Sequence, residues 1–395
     1  MYSAIVSSAN HPDPYNPYLG LFNYRSIKSL SGTGVNVNTV SLRPVAPPIG
    51  PYSEYREIPA KYSYDTHQVH YPRFPYLIPQ KVFKFTLSSL AARRALGSYL
   101  EANFEQPDVC HAGHIHYDGT ALVPYCREHG IPLTVMGRGK LLNNYHDMSF
   151  AGRRRVRKTL QYADRVLCVS GSLAEIAETI VDDSKVSVLP NGADPSRYPT
   201  SRKLRLREEL GIPGDATVLL FCGGYTERKG IHEIIEGLDD IRHDDVRLVF
   251  VGHYGDLRTK LIDALEATPH DGYQVLWQVP PVALRRWFTV ADVLMIPSHA
   301  EGRPNTVYEA MASETAVVGS AVSGIPEQVV DGETGILIPP KDPDALTSAL
   351  NELIENDTLR QEMGQAGLQR LRSEGWTWEA HAQQLKQVHE SLLQS

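Results

Sequence analysis

Two carboxylates beside an apolar run are the side chains here best suited to chemistry. Glu301 and Glu309 stand with seven residues between them in the stretch SHAEGRPNTVYEAMA, Ser298 to Ala312. The preceding DVLMIP, Asp292 to Pro297, has the continuous apolar character of a buried parallel strand. It runs into a loop, His299 to Asn305, punctuated by Gly302 and Pro304. Thr306 and Glu309 have capping-box spacing, which predicts a helix starting at Thr306 with Glu309 in its first turn. Such a loop, beyond the carboxyl end of a strand, is where open α/β sheets bind ligands. The amides and dipole of a helix start favour an anion such as phosphate. Two acids beside that seat suit a polyhydroxylated, phosphate-bearing ligand, and a nucleotide sugar has that description. Each acid also has a plainer reading, Glu309 as a capping residue and Glu301 as an exposed loop acid.

A second candidate is Gly223-Gly-Tyr-Thr-Glu-Arg-Lys-Gly230, which follows the apolar run Thr217–Cys222. Small residues let a ligand approach the backbone, and Arg228 and Lys229 can offset diphosphate charge. Arg228 reads equally well as an exposed helix start. A third, His111 to Gly119, holds His111, His114, His116 and Asp118. A metal site competes there with a strand-end loop whose imidazoles bond sugar hydroxyls. The loop is the better reading, because structural zinc usually recruits Cys and catalytic zinc needs ligands from several elements.

Glu-x7-Glu, with Gly-x-Pro-Asn between and Gly324-Ile-Pro-Glu-x-Val-x-Asp-Gly-x-x-Gly335 downstream, resembles the retaining glycosyltransferases of the group 1 family, which have the GT-B fold. The resemblance covers nearly the whole chain and is strongest from Cys222 to Asp342. It implies an α/β architecture of two Rossmann-like, doubly wound domains facing across a cleft. Residues 1–198 would form the acceptor side, joined by a C-terminal helix, 376–395, and residues 199–375 would hold the donor. It implies transfer of a hexosyl group from a nucleoside-diphosphate sugar to an acceptor hydroxyl on a glycan, lipid-linked saccharide or polysaccharide precursor. Donor contacts would come from Gly20, Gly223, Gly224, Arg228, Lys229, Glu301, Arg303, Asn305, Thr306 and Glu309. The catalytic group would comprise Glu301, Lys229, His111 and His114. Two positions depart from the family pattern: Gly224 takes a usual arginine position, and Arg138 a common histidine one. Arg138 could instead meet the diphosphate or an anionic acceptor. No nucleophile presents itself, so front-face attack assisted by the leaving phosphate is implied. No Asp-x-Asp motif appears, and neither cofactor nor metal is required. A nucleotide-sugar 2-epimerase and a non-catalytic nucleotide-sugar binder share the resemblance; donor incubated alone separates the first, and failure to transfer to any acceptor the second.

The elements that must position these residues follow from pattern. A chain of 395 residues is long enough for two cores. Its apolar content of 42% and charged content of 22% are those of a soluble globular protein. A net charge of -7 argues against a general nucleic-acid binder. The four cysteines include no CxxC pair and read as buried, reduced thiols of a cytosolic protein. There is no signal peptide and no membrane-length apolar run. Strands are expected at Ser3–Ser7, Asp108–His111, Leu133–Gly137, Arg165–Val169 and Val186–Pro190, then at Thr217–Cys222, Arg247–Val251, Val275–Val279, Val293–Pro297, Ala316–Gly319 and Gly335–Ile338. No Gly-x-Gly-x-x-Gly follows either leading strand, which weakens a nicotinamide or flavin reading. A helix is expected at Phe85–Phe104, and Ser172 to Glu175 forms a second capping box. Residues 43–79, rich in Pro and Tyr, read as a loop-rich insertion suited to acceptor choice. Trp376 could anchor the terminal helix or lie in a core. The cluster Arg153, Arg154, Arg155, Arg157 and Lys158 is either a solvated helix face or a patch that meets anionic lipid on the cytoplasmic side of a membrane.

Overall fold

The computed structural model describes residues 2–45, 56–64, 66–75, 87–242, 244–270 and 272–394. Two compact units result, Met1–Asn191 with Trp378–Ser395, and Gly192–Thr377. The divisions expected after residues 198 and 375 both fall inside the second unit. A physical reason is visible there: Ala193 N–H donates to Trp376 O at 3.1 Å, and both residues sit in the second unit's core.

In the first unit the strands are β1 (Ser3–Ser7), β2 (Asn36–Val40), β3 (Arg43–Val45), β4 (Lys61–Ser63), β5 (Gln68–His70), β6 (Arg73–Pro75), β7 (Val109–Ala112), β8 (Leu133–Gly137), β9 (Arg165–Cys168) and β10 (Val186–Val188). Eight of them form one sheet in the order β10-β9-β8-β7-β1-β2-β5-β4. All its pairings are parallel except β4 with β5. Strands β7 and β8 are buried throughout, as helices on both sheet faces require. The order runs outward from β1 through β2, then restarts at β7 on the other side, so the switch point lies between β1 and β7.

Short strands occupy the segment expected to be loop. β5 extends the main sheet, β4 closes its edge, and β3 pairs with β6 as a separate ribbon. Residues 46–55 and 76–86 of that segment lie outside the described residues, as does the expected helix start at Phe85; the helix spans Leu87–Asn103. The second capping box is displaced. Ser170, not Ser172, caps the helix Gly171–Glu178 by accepting from Leu173 N–H at 3.3 Å, because Ser170 has the extended backbone that a cap needs.

The last helix, Trp378–Leu393, packs within the first unit through polar pins. His381 bonds Ser26 Oγ at 2.8 Å and Pro190 O at 2.7 Å. His389 bonds Tyr2 Oη at 3.0 Å and Thr134 Oγ1 at 3.3 Å. Burial pulls both imidazoles down, His381 to about 4 and His389 to about 3, so they serve as neutral hydrogen-bonding groups. Trp376 belongs to the other core. Its ring meets Tyr308 edge-on at 5.6 Å, and the guanidiniums of Arg303 and Arg370 lie over it at 4.4 and 5.1 Å.

The second unit holds β11 (Thr217–Cys222), β12 (Val246–Gly252), β13 (Tyr273–Trp277), β14 (Val293–Ile296), β15 (Ala316–Ser320) and β16 (Gly335–Ile338). They form an all-parallel sheet, β13-β12-β11-β14-β15-β16. Here the chain grows outward from β11, then restarts at β14, placing the switch point between those two strands. No helix among the described residues is long and apolar enough to cross a membrane. All four cysteines are free, and three are buried.

Asp292 holds the base of that switch. Just ahead of β14, it accepts from Lys203 Nζ at 2.8 Å, Arg207 Nη2 at 2.5 Å and Val218 N–H at 2.7 Å. It thereby ties the helix Lys203–Glu209 to both central strands. Asp292→Ala leaves two largely buried cations without their counter-ion and is expected to destabilise the protein by about 3–5 kcal/mol. Denaturant unfolding followed by intrinsic fluorescence measures this.

Candidate functional site

The second unit's switch point gathers the loops after β11 and β14, and the side chains on them bond each other. Lys229, in the turn Glu227–Lys229, donates from Nζ to Glu301 Oε1. Arg228 Nη1 lies 3.7 Å from the same oxygen and donates to Ala300 O at 2.7 Å. In return, His299 N–H donates to Arg228 O at 2.9 Å. His299 Nε2 reaches Glu233 Oε1 at 2.8 Å, on the helix Ile231–Gly237. The two loops are therefore laced by charge and backbone together. Gly230 makes the approach possible: its φ is +75°, and a Cβ there would stand 2.1 Å from Pro297 O, so no other residue fits.

Glu309 and its helix are placed differently from expectation. The helix spans Asn305–Ala312 with Pro304 at its N-cap, and no side chain caps it. Thr306 is thus a residue of the first turn rather than the cap, and the capping box does not form. The reason is Pro304, whose extended φ and ψ end the loop one residue early, with proline favouring helix entry. Gln328 Nε2 steadies the turn by donating to Pro304 O at 3.2 Å. Glu309 is buried, as is Glu301. An acid on this short helix that does not cap it, kept from solvent, has a purpose other than solubility.

Arg303 is buried to the same degree as Glu301. Its guanidinium lies over Trp376 and, at 5.7 Å, over Tyr308, with Glu327 at 3.8 Å. It acts on the loop's shape. Gly223 lies beside the Lys229 stem, at 3.7 Å from an added Cβ. Gly224 has a local explanation for being glycine: a Cβ there would fall 2.3 Å from the Tyr254 ring. The aromatic ring of the loop after β12 fills the space that a longer side chain would need.

The first unit's switch carries a carboxyl group, an imidazole and a guanidinium. At the switch between β1 and β7, Asp118 is fully buried. Its Oδ1 accepts from Ser7 Oγ at 3.0 Å and Ala9 N–H at 2.7 Å, while Oδ2 stands 3.4 Å from His114 Nδ1. The i,i+4 spacing of His114 and Asp118 was a signal in the sequence. His114 Nε2 meets Asn10 Nδ2 at 3.2 Å and its ring meets Phe22 edge-on at 6.0 Å. Arg138 lies over Phe22 at 4.7 Å and donates to Gly113 O and to Asn191 Oδ1, both at 3.0 Å. Burial pulls its guanidinium down to about 9, with Asp118 opposing. Gly20 opens the helix Leu21–Ser31 at φ +61°, and a Cβ there would stand 1.9 Å from Asn10 O. His111 is a correction to expectation. It points into the core, 3% exposed, with Nδ1 bonded to Thr134 Oγ1 at 2.7 Å and burial pulling it well below the usual imidazole range. Its β-strand position turns it inward, where His114, beyond the strand end, stays partly open. Among the described residues no group of three or more His, Cys, Asp or Glu is placed to hold a metal ion.

Glu233, His299 and Tyr254 are the members that sequence spacing did not single out. Glu233 and His299 stand 66 positions apart, and only strand order brings them together.

Comparison with known proteins places this geometry. Residues 202–370 match the family described as Glycosyl transferases group 1, and residues 24–197 match Glycosyltransferase Family 4. A Bacillus subtilis protein assigned as the teichuronic acid biosynthesis glycosyltransferase TuaC is 26% identical, over 86% of either chain. A D-inositol 3-phosphate glycosyltransferase of Corynebacterium diphtheriae is 33% identical over 46% of this chain and 44% of that one; with that relative the likeness spans less than half its length. Among solved structures, the sucrose-phosphate synthase of Thermosynechococcus elongatus superposes with a TM-score of 0.82 at 19% identity over 99% of both chains. Anabaena HepE does so with a TM-score of 0.76 at 17% identity, over 99% of this chain and 100% of that one. The architecture is accordingly GT-B, and the second unit carries the group 1 glycosyltransferase domain, preceded in the chain by a Glycosyltransferase Family 4 domain.

Proposed function

We propose that the protein is a retaining hexosyltransferase that takes its sugar from a nucleoside diphosphate held at the switch point of the second unit. The observation that carries this reading is the convergence of Lys229, Arg228 and Glu301 from two loops, beside buried Glu309 and an uncapped helix start. That is a set of charges matched to a diphosphate joined to two polyols. Anabaena HepE, of like fold, was crystallised with UDP and with UDP-glucose, which supports a donor of this class.

In this reading Glu309 accepts from the ribose hydroxyls and Glu301 from hydroxyls of the transferred sugar. Lys229 and Arg228, with the amides at Asn305 and Thr306, stabilise the charge that grows on the leaving diphosphate. The pair with Glu301 holds the Lys229 ammonium in place before donor arrives, so little reorganisation accompanies the reaction. Attack on the donor-side face by an acceptor hydroxyl keeps the anomeric configuration, with a leaving-phosphate oxygen taking the hydroxyl proton. These cations perform the charge neutralisation, and no resident metal or cofactor is invoked. The first unit serves the acceptor, a saccharide, lipid-linked saccharide or polysaccharide precursor, with His114 held by Asp118 as the group that meets its hydroxyls. The protein works at the cytoplasmic side of a membrane.

Lys229→Ala is expected to lower kcat about a hundredfold with donor saturating. Glu309→Gln is expected to raise the donor KM more than it lowers kcat, because the ribose contact is alike in ground and transition states. Steady-state transfer assays measure both, and wild-type turnover in the two variants would overturn the assignment. A matching nucleoside-diphosphate sugar at about 100 times its Kd should stabilise the fold by about 2.7 kcal/mol, read as a rise in Tm across UDP-, GDP- and ADP-sugars. Incubation with donor alone should give no 2-epimer.

A further inference from the structure

The helix Phe150–Tyr162 carries the basic run, and its buried face packs on the core through Val156, Thr159 and Leu160. Its flank forms a groove of about 430 Å³ with two neighbours, the helices Leu87–Asn103 and Thr120–His129. Arg93, Arg127, Arg155 and Lys158 line this groove, with Thr120 and Tyr162. Every charge among the lining residues is positive. Among the described residues none of the four cations has a carboxylate partner within ion-pair distance. Arg127 instead lies over the Tyr162 ring at 5.5 Å, which orients its guanidinium at the rim.

Such a cluster is electrostatically costly in the absence of an anion. Arg155 and Lys158 stand at i,i+3 on one helix, a spacing at which like charges oppose each other. Burial, then Arg93 and Arg154, pull the Arg155 guanidinium down. A concave site concentrates that positive potential. Its volume lies within the range of small-ligand sites, and guanidinium forks match the oxygens of a phosphate bidentately. The groove takes Arg155 and Lys158 from the basic run Arg153–Lys158 and adds Arg93 and Arg127 from two other helices, so only part of the run faces it.

We propose that this groove is a phosphate-binding site of the first unit, distinct from the donor loops, that takes a phosphate-bearing headgroup or solute. The inference does not rest on the donor reading, since no groove residue belongs to either switch point. The chemistry is shared by an anionic phospholipid and by a free phosphorylated compound. The outer cations Arg153, Arg154 and Arg157 and the 76% exposed Phe150 lie on the same helix.

The test uses two probes on full-length protein. Inorganic pyrophosphate binding is measured by calorimetry in a Lys229→Ala background, which removes the donor-loop ammonium. Vesicle co-sedimentation compares phosphatidylcholine containing phosphatidylglycerol with phosphatidylcholine alone. Arg93→Gln with Arg155→Gln is expected to weaken whichever probe binds by at least about tenfold, while Arg153→Gln with Arg157→Gln changes pyrophosphate affinity far less. Lys158→Gln, at an exposed position, provides a second variant that keeps the fold, checked by its unchanged Tm. Groove-dependent binding of pyrophosphate alone assigns a soluble ligand, and of anionic vesicles a lipid headgroup. Binding of neither probe, or equal binding by wild type and both groove variants, overturns the proposal. A normal Tm response of the Arg93/Arg155 variant to the nucleotide sugar separates this outcome from a failure of the donor reading.

Discussion

A reversal of strand order governs this protein twice. In each unit the sheet grows outward from a first strand and then restarts beside it, so two loops diverge at the carboxyl ends of adjacent parallel strands. A gap opened that way would fray unless something bridged it. In the second unit the bridge is ionic, Lys229 with Glu301, reinforced by one backbone hydrogen bond, His299 N–H to Arg228 O, and by the Arg228 side chain donating to Ala300 O. In the first it is Asp118, one carboxyl oxygen accepting from the loop after β1 and the other facing His114. The same topological device thus carries different side chains: two cations gathered on one carboxylate at one switch, and a carboxyl, an imidazole and a guanidinium at the other.

That contrast makes chemical sense for group transfer. A leaving diphosphate needs fixed positive charge in a site shielded from water, where each contact counts for more. An acceptor hydroxyl needs orientation and hydrogen bonding, which buried carboxylate and imidazole supply without much net charge. The packing beneath both sites is correspondingly rigid. Asp292 clamps the base of β11 and β14, and the stack of Arg303 on Trp376 shapes the loop before Glu309. The helix Trp378–Leu393 stiffens the first unit through neutral histidines whose protons are spent on hydrogen bonds.

Glycine placement shows how close these tolerances are. Gly230 is demanded by Pro297 O, whereas at Gly224 a Cβ would meet the outer end of the exposed Tyr254 ring. The second is informative because it turns an apparent loss, an arginine missing from a familiar position, into a local exchange. A ring of the neighbouring loop takes the space, and Arg228 remains nearby to supply charge.

Much of the second unit was legible in the chain itself. Its inner strands are short apolar runs buried on both faces, so Thr217–Cys222 falls where the pattern puts it, as does the edge strand Gly335–Ile338, while the other edge strand, Tyr273–Trp277, begins two residues before the expected Val275. The loops that bring Lys229 and Glu301 together were legible too, because they follow apolar strand runs in long, specific spacings. What local pattern misjudged were matters of one or two residues or of burial: Pro304 rather than Thr306 at the cap, Ser170 rather than Ser172, and His111 enclosed on a strand covered on both faces. The short strands between 43 and 75 escaped because their pairing energy comes from distant partners, β5 on β2 and β6 on β3. Only the tertiary structure could join Glu233 to His299, Asp118 to Ala9, or Arg93 and Arg127 to Arg155. Sequence determines which side chains stand at the ends of strands and helices, because periodicity and turn chemistry are local. Which of those ends meet depends on strand order, and strand order is settled by packing between segments that carry no signal of one another.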